Sequence, residues 1–123
     1  MKLLADTHVM APGDYQVQVF EWGQLTWMVS GPLGNSEALT VGRCEIKPGC
    51  ENPLHLHPNC DEVLHVVSGR IVHRVEGAGE ATMEAGDTIS IPRNRRHNAR
   101  NVGDVPATMM ICFSSPNRET RGE

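Results

Sequence analysis

From residue 25 onward, apolar and polar positions alternate in short runs that Gly, Pro, Asn and Asp interrupt every few residues. Alternation sends successive side chains to opposite faces of a strand. The runs predict strands at 25–30, 38–47, 62–67, 70–76, 81–83, 88–91, 97–102 and 107–113. No helical period follows residue 25. Many short strands at close spacing predict an all-β sandwich or barrel. Residues 15–20 also alternate, so 1–24 reads as an N-terminal arm or edge strand that a dimer could share. Residues 114–123 are polar, contain Pro116 and have no apolar anchor, which predicts a flexible tail.

The length of 123 residues suits one domain, 1–123, able to bury roughly two-thirds of its unfolded surface. Aromatics are only 4% of the chain, so aliphatic side chains and Met must fill most of the core. The same scarcity weighs mildly against a pocket that stacks flat substrates. The formal net charge is -4 and no basic stripe runs along the chain, which argues against a nucleic-acid partner. Arg93, Arg95, Arg96 and Arg100 read as a solvated turn or as a rim that attracts an anionic substrate. No apolar run approaches the ~20 residues of a membrane span. The first ten residues lack the apolar stretch of a signal peptide. No membrane partner and a cytoplasmic location are expected. Cys44, Cys50, Cys60 and Cys112 form no C-x-x-C pair and read as free thiols.

The chemistry concentrates in the histidines. His55 and His57 are two apart, so in a strand both imidazoles point to one face. Glu62 follows across the Pro58-Asn59 break, where a turn would bring its carboxylate back. His97 opens a later strand just past Pro92. Three imidazoles and one carboxylate suit a divalent transition metal such as Mn, Fe, Ni or Zn. Calcium and magnesium prefer oxygen ligands alone. Cys60, three residues after His57, is either a small turn residue or a group near that ion. Arg43, in a predicted strand, is either a surface residue or an anchor for a substrate carboxylate.

Gly49, His55, His57, Glu62 and Gly69, with five, one, four and six residues between them, resemble the first conserved motif of the cupin superfamily. Gly86, Pro92, His97 and Asn101 resemble the second. Asn94 stands where that motif has Gly, and Asn tolerates the left-handed backbone a Gly would supply. The resemblance implies an antiparallel double-stranded β-helix, or jelly-roll barrel. It also implies one metal ion per chain, held by His55, His57, Glu62 and His97. By family analogy it implies a homodimer and a small-molecule substrate.

Ser68-Gly69 fits a two-residue hairpin turn that would pair Leu64 with His73 and Glu62 with Val75. Paired residues share a face. Glu62, Leu64, Val66, Ile71, His73 and Val75 would then point inward, with His65, Val67 and Val72 outward. His73 would lie in the barrel near the metal without binding it, as a candidate catalytic base.

Four protein ligands leave one or two positions open on a five- or six-coordinate ion. One reading is a redox-neutral enzyme, an isomerase, lyase or cyclase acting on a substrate that chelates through oxygen. A second is a cupin dioxygenase using iron and O2. A third is a small-ligand binding protein without catalysis. A shared fold does not choose among them.

Overall fold

The computed structural model describes residues 1–122. In chain order the strands are β1 (Lys2–Leu4), β2 (Thr7–Val9), β3 (Gln16–Phe20), β4 (Gly23–Val29), β5 (Thr40–Ile46), β6 (His55–Leu56) and β7 (Glu62–Ser68). They continue as β8 (Arg70–Val75), β9 (Gly79–Glu84), β10 (Thr88–Ile91), β11 (His97–Asn101), β12 (Ala107–Phe113) and β13 (Arg121–Gly122). A single 3-10 turn at Pro12–Asp14 is the only helical element among the described residues. No helix among them is long and apolar enough to cross a membrane.

Two antiparallel sheets make the body of the protein. One has the order β10-β7-β12-β5-β4-β3, the other β13-β6-β11-β8-β9, and β1-β2 forms a separate hairpin. Ile46, Val66 and Met109 from the first sheet and Ile71, Met83 and Ala99 from the second share one core. This is the jelly-roll architecture that the sequence implied. Burial alternates along β5 and β12, so Cys44, Ile46, Met109, Ile111 and Phe113 face inward and Arg43, Met110 and Cys112 do not. Trp27 on β4 stands opposite Gly42 on β5. A Cβ at Gly42 would sit 2.5 Å from the indole, so the missing side chain lets Trp27 lie against the neighbouring strand.

Three expectations need correction. The first is the hairpin at Ser68-Gly69. β7 pairs with β10 and β12, while β8 pairs with β9 and β11 in the other sheet. Gly69 has φ +87° and lies so close to Ala107 that a Cβ would come within 2.7 Å, and there the chain crosses between sheets. Most of the inward set survives: Glu62, Leu64, Val66, Ile71 and His73 are buried and His65 and Val67 are exposed, while Val75, expected inward, and Val72, expected outward, are both half-buried. A side chain's face follows the pleat of its own strand, whichever strand it bonds to.

Second, four short strands add to those expected, while β3 is the edge strand foreseen at residues 15–20 and pairs with β4 of its own chain. β1, β2, β6 and β13 were not foreseen. With two or three residues each, they are too short to show a period.

Third, the polar tail has anchors. The Gly31 amide donates to the Pro116 carbonyl at 2.8 Å. The Asn59 side chain donates to the Asn117 carbonyl at 2.8 Å and accepts from the Glu119 amide at 2.9 Å. The Arg118 guanidinium lies 4.0 Å from the Trp27 ring centroid, and β13 pairs with β6. An apolar anchor is indeed lacking, but a cation-π contact and backbone hydrogen bonds replace it. Glu123, the last tail residue, lies outside the described residues.

Candidate metal centre

β6 and β11 pair so that His55 and His97 stand directly opposite one another. His57 follows β6 at once, and Glu62 opens β7 in the facing sheet. Three imidazoles thus meet one carboxylate between the two sheets. Asn94 at φ 67° takes the left-handed turn expected of it. Its amide donates to the His57 carbonyl at 2.9 Å, tying the turn before β11 to the strand end that carries His57.

The ligand atoms of His55, His57, Glu62 and His97 all lie within 4.8 Å of one another. Glu62 Oε1 is 3.1 Å from His57 Nε2 and 3.0 Å from His97 Nε2. On the far side of each ring, Nδ1 meets a backbone carbonyl: Pro53 at 2.7 Å for His55, Glu119 at 2.9 Å for His57, Arg95 at 2.7 Å for His97. A carbonyl only accepts, so each Nδ1 carries a proton and donates. Each neutral ring then turns a bare Nε2 towards the cluster. Bare nitrogens facing a carboxylate oxygen are acceptors without a donor. A cation between them resolves this, and carbonyl-bound Nδ1–H groups are the usual outer partners of metal-bound imidazole.

Without a metal, a proton between Nε2 and the Glu62 carboxylate fills that role. Burial, followed by the charge of His97, lowers His55 to about 4, which keeps it neutral near pH 7. Burial would raise the Glu62 carboxyl, but hydrogen bonds from His57 and His97 outweigh it and hold Glu62 well below the usual carboxylate range. Burial would lower His97, but the Glu62 carboxylate reverses this and raises it. The four residues form one divalent-metal site, and three nitrogens with one oxygen fit a transition ion.

His73 lies where the sequence put it. It is 1% exposed on β8, and its ring stacks on His97 with centroids 5.5 Å apart and 17° between planes. It is outside the ligand cluster, and its Nδ1 has no hydrogen-bond partner among the described residues. Burial, then the charge of His97, lowers it to about 4.

All five residues line a cavity of about 370 Å³. Cys60 is instead part of the apolar core, where burial raises its thiol. Arg43 points away from the cavity, with Nε 4.0 Å from Glu45 Oε2. Among the described residues lining the cavity, Arg93, Arg95, Arg96 and Arg100 do not appear. Arg93 pairs with Asp61 at 3.3 Å, at the surface.

Sequence reasoning missed two features. The arginine in the cavity is Arg118, from the tail. The only available signal was a basic residue in a segment without pattern. The aromatics are few but concentrated: Phe20, Trp22, Trp27 and Phe113 all line the cavity, and these are both phenylalanines and both tryptophans of the chain. Low aromatic content therefore does not weigh against a stacking pocket here, because composition says nothing about placement.

Fold and site together define a metal-binding cupin. The cupin domain family matches residues 42–113, more than half of the chain, and the chain belongs to that family. It is 39% identical over 85 residues to germin-like protein 3-8 of Oryza sativa, covering 66% of this chain and 38% of that protein. It is 29% identical over 109 residues to oxalate oxidase GF-2.8 of Triticum aestivum, covering 83% of this chain and 45% of that one. Among solved structures it resembles the Lactobacillus farciminis oxalate decarboxylase formate complex, with TM-score 0.82 and 25% identity over 89% of this chain and 34% of that chain. The chain spans less than half the length of each of these relatives.

Proposed function

We propose that this cupin is a metal-dependent enzyme of redox-neutral, lyase type. Its substrate would be a small carboxylic acid that presents two adjacent oxygens, as oxalate does. The observation that carries this reading is His73, a buried imidazole with a free Nδ1 in the same cavity as four ligands that do not need it. The relatives named for oxalate support the substrate class.

A divalent transition ion on His55, His57, Glu62 and His97 would act as a Lewis acid on the substrate's two oxygens. The protein supplies the rest. The three carbonyl-held imidazoles keep the ligand set aimed before substrate arrives. The apolar side chains of the wall lower the local dielectric, which strengthens the charge interactions inside. His73, neutral near pH 7, is the group that can take a proton from the substrate. In a decarboxylation of oxalic acid monoanion, the bond between the carbons breaks and one carbon leaves as CO2. The other keeps the electron pair and takes the proton that the carboxyl gave up, yielding formate. His73 would hold that proton between the two events, and no net oxidant is required.

The test loads the protein with manganese and offers oxalate and a panel of 2-oxo and 2-hydroxy acids. CO2 with the one-carbon-shorter product, without net O2 uptake, is the expected result. Hydrogen peroxide with O2 uptake would replace this reading with an oxidase, which the similarity to oxalate oxidase favours. No product from any acid would sink both.

A homodimer belongs to the same proposal. β3 ends its sheet with one edge unpaired among the described strands, and Val19 on it is 76% exposed. Such an edge is a template for a second chain. Light scattering that finds only monomer at micromolar concentration would reject it.

A further inference from the structure

The cavity is larger and more apolar than oxalate needs. At the ~30 Å³ share of one liquid water for each of its six heavy atoms, oxalate would fill only about half of the 370 Å³. Most of the remaining wall is hydrocarbon and aromatic, with Gln18, Asn52 and Thr120 as its uncharged polar members. Phe20 and Trp22 stack on each other with centroids 4.9 Å apart and 7° between planes, and Leu25 and Ile111 line the same space. A cavity of this size and character is at the lower end of what accommodates a whole organic molecule, roughly 300–1,000 Å³.

Arg118 adds a charge to this wall. Its guanidinium is 4.0 Å from the Trp27 centroid and 5.4 Å from that of Phe113. The Phe113 ring in turn is 4.8 Å from the His57 ring. Phe113 therefore neighbours both the guanidinium and the ring of a metal ligand. Arg118 pairs with no carboxylate among the described residues, and its one hydrogen bond goes to the Thr120 hydroxyl of its own segment. Burial lowers it from its usual range, but an arginine stays charged. A divalent ion over the Glu62 carboxylate leaves one positive charge, and Arg118 adds a second. The site then lacks an anion.

We infer that the substrate is a carboxylate carrying a ring-sized apolar body. Arg118 and the metal centre hold its charged end, and the Phe20–Trp22 wall receives the body. This rests on the proposed function and narrows its substrate class. Arg118 is here a specificity-determining residue, placed by the tail that also supplies the carbonyl on His57 Nδ1.

Two probes separate the terms. Oxalate and benzoylformate share the same chelating O=C–C=O head, and benzoylformate adds a phenyl ring. Both tryptophans of the chain line the cavity, so their emission reports occupancy without turnover. Each acid is titrated into manganese-loaded wild type, Arg118→Met, Arg118→Lys and Phe20→Ala, with metal content measured alongside. The wild type should bind benzoylformate at least tenfold more tightly than oxalate, and Phe20→Ala should shrink that ratio. Arg118→Met should weaken both acids roughly tenfold or more at unchanged metal content, with partial recovery in Arg118→Lys. If wild type binds neither acid, the proposed function itself fails. If oxalate binds as tightly as benzoylformate, the apolar-body inference is overturned and the proposed function stands. If Arg118→Met binds both acids as wild type does, Arg118 has no part in recognition.

Discussion

His57 donates its Nδ1 proton to the carbonyl of Glu119 at 2.9 Å, across 62 positions of sequence. A metal ligand is thus aimed by the tail. Asn59 holds that tail with one hydrogen bond to Asn117 and one from Glu119. Asn59→Ala removes both without touching a ligand. Loss of an outer partner commonly costs 10–100-fold in metal affinity. Asn59→Ala should weaken binding by about tenfold, read by competition against a chromophoric chelator. Equal affinity in both proteins would mean that the tail does not aim His57.

Removing a ligand should act far more strongly. His57→Ala and Glu62→Gln should each abolish stoichiometric metal in protein purified and reconstituted in parallel with wild type. Elemental analysis decides it, with about one ion per chain expected for wild type. Full loading of Glu62→Gln would show that three imidazoles suffice.

His73 gives a pH signature in metal-free protein. Its folded value is about 4, below the ordinary histidine value of 6.5. Between those limits the unfolded chain binds a proton that the folded chain does not, so stability falls as pH drops from about 6.5 to about 4. His55, also lowered to about 4, acts in the same direction. His97 is raised, so its contribution is present at low pH and is lost as pH rises. Glu62 is lowered, so its contribution is complete above the ordinary carboxylate value of 4.5 and fades progressively as pH falls below it. Comparing wild type with His73→Asn isolates one term: the variant should lose less Tm between pH 6.5 and pH 4. Parallel curves would mean that His73 does not titrate as its burial implies.

Gly42→Ala tests the packing that shapes the cavity wall. The added methyl would lie 2.5 Å from the Trp27 indole and 2.9 Å from the Thr26 carbonyl. Overpacking of this kind costs roughly 1–3 kcal/mol. Urea unfolding should show a loss in that range, together with shifted tryptophan emission as the indole moves. An unchanged midpoint would show that Trp27 has room to yield.

The four cysteines should divide by burial. Cys44 and Cys60 are buried, Cys50 and Cys112 half-buried, and all are free. Burial, then the charge of Glu62, pushes Cys44 up to about 12, so it holds almost no thiolate at pH 8. A disulfide reagent at that pH should modify Cys50 and Cys112 first, with Cys44 reacting only after denaturant is added. Mass spectrometry of the digested protein reads the order.

The sequence by itself determined the metal centre and the fold family, and the inward faces of the two strands around Ser68-Gly69. For the metal centre, local geometry alone offered only that His55 and His57 share a face. The ligand set and the fold followed from the spacing of Gly49, His55, His57, Glu62 and Gly69 and of Gly86, Pro92, His97 and Asn101, which resembles the two cupin motifs. His73 was legible because inward or outward is set by alternation along its own strand. What pairs with what was decided only in three dimensions. β7 and β8 look like a hairpin in one dimension and lie in different sheets, because Gly69 turns the chain against Ala107. The cavity was illegible for a related reason. Its walls come from β3, β4, β12 and the tail, and no local period marks residues that meet across a barrel. Arg118 is the plainest case: it occupies a segment without pattern, and only the folded chain lays it on Trp27 beside the metal ligands.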